Sequence, residues 1–205
     1  MESEFDRSAM YKRSHELEPH WQQNADRLFD ACTNAIRQFQ TDHPDQQCCS
    51  FGFDSEPCYG YVLVGLDTPE NSLKIARERE DYEVKNRFRQ FATDGAWRIS
   101  NYYATRESVD YANNTGYFAY TELAQVEFPE WEAFANSEQY PDPDEVQDSD
   151  YLEGHVRLIF WDVIERLVAA DAFGGLYLWS PFRIAYNFHD DGGMTTLRIL
   201  NWPSV

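Results

Sequence analysis

The stretch Ser149–Gly175, SDYLEGHVRLIFWDVIERLVAADAFGG, constrains the fold more than any other part of the chain. Leu152, Val156, Ile159, Phe160, Val163, Leu167 and Ala170 recur at the three-to-four-residue spacing of one helical stripe. Leu158, Trp161, Ile164 and Val168 widen that stripe and leave only Asp162, Glu165 and Arg166 as a polar strip. A helix this apolar predicts burial on more than one side, between other elements. Ser149 and Asp150 are capping residues for its start, and Gly174–Gly175 predict a left-handed turn at its end. Phe160 and Val163 are expected in the core.

The chain before it supplies the partners. His20–Asp42 predicts a helix of about five turns, with Trp21, Ala25, Leu28, Phe29, Cys32, Ile36 and Phe39 on one face. Residues 47–54 and 58–67 are rich in aromatic and β-branched residues, and the Ser55-Glu56-Pro57 link predicts a hairpin. Thr68-Pro69-Glu70 is a helix start. Ser72–Thr93 reads as an exposed helix of mixed charge, Asp94-Gly95 as a turn, and 96–105 as a third strand or an irregular aromatic segment. Pro129–Asn136 predicts a short helix, and 140–145 a loop. Residues 176–179 and 182–188 read as strands, followed by a turn at 189–193 and a returning strand over 195–202. Early and late strands with helices between predict one α+β domain, a mostly antiparallel sheet with helices packed on it.

Of 205 residues, 42% are hydrophobic and 16% aromatic, enough for a substantial core despite a net charge of -19. That charge repels nucleic acid and anionic membranes and attracts basic protein surfaces. The first residues lack the apolar segment of a secretory signal, and no run approaches the ~20 apolar residues of a membrane helix. The expectation is a cytoplasmic protein with reduced Cys32, Cys48, Cys49 and Cys58, which do not match a zinc spacing.

No nucleotide-binding, nucleophile-elbow or zinc-protease motif is present. His155 reads as a partly buried structural residue. His189-Asp190-Asp191 is a conceivable metal group but falls in a turn that favours Asp for backbone reasons. Asp142, Asp144, Asp148 and Asp150 lack the glycine and final glutamate of a calcium loop. The expectation is no enzyme, no cofactor and no metal.

Several short motifs carry a resemblance: Ala35-Ile36 on the first helix, Tyr59-Gly60-Tyr61-Val62, Phe173-Gly174 after the apolar helix, and Leu200-Asn201. In these the chain resembles a family of uncharacterised bacterial proteins catalogued as domain of unknown function 4303. The resemblance spans most of the chain and implies a non-enzymatic protein. Some such proteins sit near polymorphic toxin genes as candidate immunity proteins. No catalytic residue carries over, and the acidic run before the apolar helix has no counterpart in the pattern.

That run, at about 107–153, holds no Lys or Arg and interleaves carboxylates with aromatics. The leading expectation is therefore an immunity-type protein that binds and blocks a basic toxin domain. Carboxylates would steer the partner and aromatics would anchor it. Glu130, Glu132, Asp142, Asp144 and Glu145 are the expected steering residues, with Trp131 and Tyr140 as anchors. The alternatives are a metal-dependent hydrolase using clustered carboxylates and an acidic DNA mimic.

Overall fold

The computed structural model describes residues 20–78, 114–135, 148–189 and 193–200; the side chains of 148–151 are outside that description. In chain order the elements are α1 (Trp21–Asp42), β1 (Gln47–Glu56), a 3-10 turn (Pro57–Tyr59), β2 (Tyr61–Asp67), α2 (helical over 69–78), a 3-10 turn (Thr115–Tyr117), β3 (Tyr120–Glu127), α3 (Pro129–Ala135), α4 (Asp148–Ala169), β4 (Tyr177–Phe188) and β5 (Thr195–Leu200). The strands form one sheet in the order β3-β2-β1-β4-β5. Every pairing is antiparallel except β1 with β4, which is parallel. The fold is α+β, as expected, and the parallel pair joins the early and late hairpins into one sheet.

Strand alternation divides the sheet into two unlike faces. Phe51, Phe53, Val64, Leu66, Ile184 and Tyr186 point to the face covered by α1 and α4. There Phe160 of α4 stacks on Phe53, and Phe173 meets Phe51 edge-on. Phe160 and Val163 are fully buried, as their spacing predicts. The opposite face carries three cross-strand rows: Asp67–Ser50–Arg183, Gly65–Gly52–Ala185 and Leu63–Asp54–Asn187. Thr115 and Phe118 lie on the glycine row. A Cβ on Gly52 would come within 2.6 Å of Thr115 Cγ2 and 2.9 Å of the Phe118 ring, so the cover closes only over glycine.

The second row of contacts shows why α2 begins at Pro69. Thr68 Oγ1 accepts from the Asn71 amide at 3.2 Å, the geometry of an N-cap. Asn71 Nδ2 then donates to Asp67 Oδ1 and to the Tyr117 carbonyl, both at 2.7 Å, which ties α2 to the segment covering the glycine row.

Several expectations need correction. α4 packs between the sheet, α1 and α3, but the apolar stripe is narrower than its sequence predicts: Leu158 and Trp161 are 60% and 53% exposed, because they face away from these elements. Its end is not a glycine turn. The helix stops at Ala169, and the left-handed residue is Asp171 (φ 51), while Gly174 makes room for the Asp171 carboxylate folded over it. Cys58–Gly60 is not strand but a 3-10 turn closed by Gly60 in the left-handed region (φ 65). The two strands expected at 176–179 and 182–188 are one strand, β4, which begins at Tyr177 and holds a cis Ser180–Pro181 peptide. β3 was not expected. The expected features at 79–113 and at 136–147 lie outside the described residues.

Candidate protein-binding surface

α3 is short and would not persist alone. It is fixed by what lies beneath it. Phe128, just before it, stacks on Trp131 with ring centroids 4.0 Å apart at 14°. The Phe128 amide donates to the Gly60 carbonyl at 2.6 Å. A Cβ on Gly60 would strike the Phe128 carbonyl at 2.7 Å and Glu132 Cβ at 3.2 Å, so α3 rests directly on the β1–β2 turn. Arg27 of α1 clamps the other side. Its guanidinium donates to the Glu127 carbonyl at 2.7 Å and lies 5.4 Å from the Phe128 ring centroid.

Of the expected site residues, Glu132 is exposed on α3, and Glu130 is half-buried with Oε1 enclosed and without a hydrogen-bond partner among the described residues. Trp131 is 0% exposed, a correction to its expected role as a surface anchor. Its ring is the inner face of α3, and a side chain stacked on Phe128 in the core offers a partner no area. Tyr140, Asp142, Asp144 and Glu145 lie outside the described residues. The aromatics of the acidic run divide accordingly: Phe118, Phe128, Trp131 and Phe134 are buried, and Tyr117 is exposed.

What the structure brings together is a different aromatic. Tyr59, at the tip of the β1–β2 turn, is 68% exposed. The register sets Glu56, Tyr61 and Glu127 side by side across β1, β2 and β3 at the same end of the sheet. Glu132 stands against the adjoining Gly60. Burial pushes the Tyr61 hydroxyl's pKa up, and the charges of Asp54 and Glu56 push it further in the same direction. The result is an acidic rim around two tyrosines, on a turn pinned by the Phe128–Gly60 hydrogen bond. The sequence signal that could have found Tyr59 is its place between Pro57 and Gly60: an aromatic at the tip of a tight turn has little to pack against.

The covered face of the sheet holds a second polar group. The Thr115 hydroxyl and amide both donate to Asn187 Oδ1, the amide at 2.9 Å. Asp54 is adjacent to Asn187 in register and lies 3.9 Å from His189 Nδ1, whose side chain is 66% exposed. Burial raises the Asp54 pKa, opposed by Thr115 and His189. Asp67 is fully buried. Burial raises its pKa too, against hydrogen bonds from Asn71 and the Ala119 amide and the nearby Thr68 amide and Ser72. Its Oδ2 has no hydrogen-bond partner among the described residues. Asp190 and Asp191 lie outside the described residues, and among the described residues no three His, Cys, Asp or Glu side chains are grouped to hold a metal. His155, as expected, is partly buried. Its ring meets Trp21 edge-on at 4.9 Å, and burial, with His20 nearby, pushes its pKa down to about 4.

Comparison with family models, curated proteins and solved structures finds no match. Among the described residues, no helix is long and apolar enough to cross a membrane.

Proposed function

We propose that this protein is a cytoplasmic, non-enzymatic immunity protein that binds and blocks a basic bacterial toxin domain. The observation that carries this reading is Tyr59, exposed on a hydrogen-bonded turn at the end of the sheet that also carries Glu56, Glu127 and Glu132. A basic partner approaching this end of the sheet is steered by the carboxylates, which raise the association rate. Tyrosine at the centre of such a rim supplies anchoring area at low entropic cost, as hot-spot aromatics do. The pinned turn adds pre-organisation, since little order is lost on docking. In sequence the acidic run continues through Asp142, Asp144 and Glu145, which extend the steering field, with Tyr140 as a second anchor. The sequence resemblance to the uncharacterised family with toxin-linked members points the same way.

The test is co-expression. The protein product of the gene adjoining this one is induced in a bacterial host with and without this chain. Restored growth with the parent chain, lost when Glu56, Glu127 and Glu132 are together replaced by Lys, supports the reading. Equal protection by the reversed-charge variant removes the acidic rim from the mechanism.

A further inference from the structure

Away from the acidic rim, a cavity of about 230 Å³ opens between α1 and the turn that follows α4. Its floor is one stripe of α1, Phe29, Thr33, Arg37 and Gln40, at the four-, four- and three-residue spacing of a single helical face. Its other wall is Ala170–Ala172 and Gly175. Arg37 and Asp171 both line it, yet neither forms an ion pair among the described residues. The Thr33 hydroxyl is buried without a hydrogen-bond partner among the described residues. Gln40 also lines it and donates from Nε2 to the Ala172 carbonyl at 3.4 Å, with the end of its side chain against Gly175. Asp171 holds a left-handed backbone (φ 51), the one positive-φ residue other than glycine among the described residues.

We propose that this cavity binds a free α-amino acid. The ammonium group sits at Asp171, beside the carboxyl end of α4, where the helix dipole also favours a cation. The carboxylate sits on the Arg37 guanidinium, which suits two-pronged contact with a planar anion, and takes the orphaned Thr33 hydroxyl as a further donor. The Phe29 ring and the methyls of Ala170 and Ala172 leave room for a small side chain. The volume lies below the ~300–1,000 Å³ of pockets for drug-sized molecules, which suits a ligand of few atoms.

Calorimetric titration and saturation-transfer NMR of the full chain with L-alanine test this. The expected result is saturable binding, with acetate and methylammonium, each carrying half of the charge pattern, at least about tenfold weaker. Arg37→Ala and Asp171→Asn are each expected to weaken L-alanine by about tenfold or more. Arg37 is exposed and Asn tolerates the left-handed backbone, so both variants keep the fold, checked by an unchanged circular dichroism spectrum. The proposal is overturned if L-alanine shows no saturable binding, if acetate binds as tightly as L-alanine, or if both variants retain the parent affinity.

Discussion

Phe160 of α4 and Phe53 of β1 lie nearly parallel, with ring centroids 4.5 Å apart at 21°, and both are fully buried. Tyr186 and Phe188 of β4 close around the same ring. One α4 side chain therefore bridges the two strands of the parallel pair, the pair that joins both halves of the chain. Phe160→Ala is expected to cost about 3–5 kcal/mol, the range for emptying a large aromatic site. Urea denaturation checks it: the midpoint falls while the slope stays that of the parent.

His155 gives the fold a pH dependence. Its folded pKa, about 4, lies below the ordinary 6.5, so the fold favours the neutral ring. Its contribution is complete above pH 6.5 and is lost as pH falls towards 4. At ~1.4 kcal/mol per pKa unit, reduced because the ring is partly in contact with solvent, the loss is about 2 kcal/mol. Denaturation of the parent and of His155→Gln at pH 7.5 and 4.5 isolates it. The stability difference between the two is expected to shift in favour of the variant at the lower pH.

Asp67 works with the opposite sign. Its pKa is raised, so its charged form costs stability. The favourable state is the protonated one, present below the ordinary carboxylate range and lost as pH rises through the folded pKa. Asp67→Asn keeps Oδ1 as acceptor for Asn71 and the Ala119 amide and removes the buried charge. The variant is expected to melt higher than the parent at pH 7, with the gap closing as pH falls towards the ordinary carboxylate range.

The thiols divide by depth. Cys32, Cys48 and Cys49 are buried; burial pushes Cys48 and Cys49 up to about 12, and Cys32 higher still. Cys58 is half-exposed beside Tyr59, its Sγ donating to Glu56 Oε1 at 3.0 Å. A thiol reagent at pH 8 is expected to label Cys58 quickly in the folded protein and the other three only on unfolding.

Much of this architecture was legible in the residues. α1, the β1–β2 hairpin, the Thr68–Pro69 start of α2 and the depth of Phe160 follow from periodicity and capping, which are local signals. The β1–β4 pairing was not, since parallel partners more than a hundred residues apart leave no mark on either strand. β3 was hidden because its exposed positions, Glu122, Gln125 and Glu127, break the alternation that marks a strand. Trp131 was misplaced for a related reason. In a seven-residue helix the inner and outer faces cannot be told apart until Phe128 and the Gly60 turn fix which side is in. Leu158 and Trp161 show the limit of reading burial from composition: an apolar side chain in the wrong arc of α4 stays in solvent.

The central claim concerns the surface around Tyr59, and binding kinetics against the proposed partner, a basic toxin domain sought in the product of the adjoining gene, at two salt concentrations, test it most directly. Replacing Glu56, Glu127 and Glu132 with Gln is expected to slow association at low salt and flatten its salt dependence. Tyr59→Ala is expected to leave association nearly unchanged and to speed dissociation by the equivalent of about 2 kcal/mol or more. Association at the parent rate by the triple variant, together with dissociation at the parent rate by Tyr59→Ala, would contradict the claim and place any interface elsewhere on the molecule.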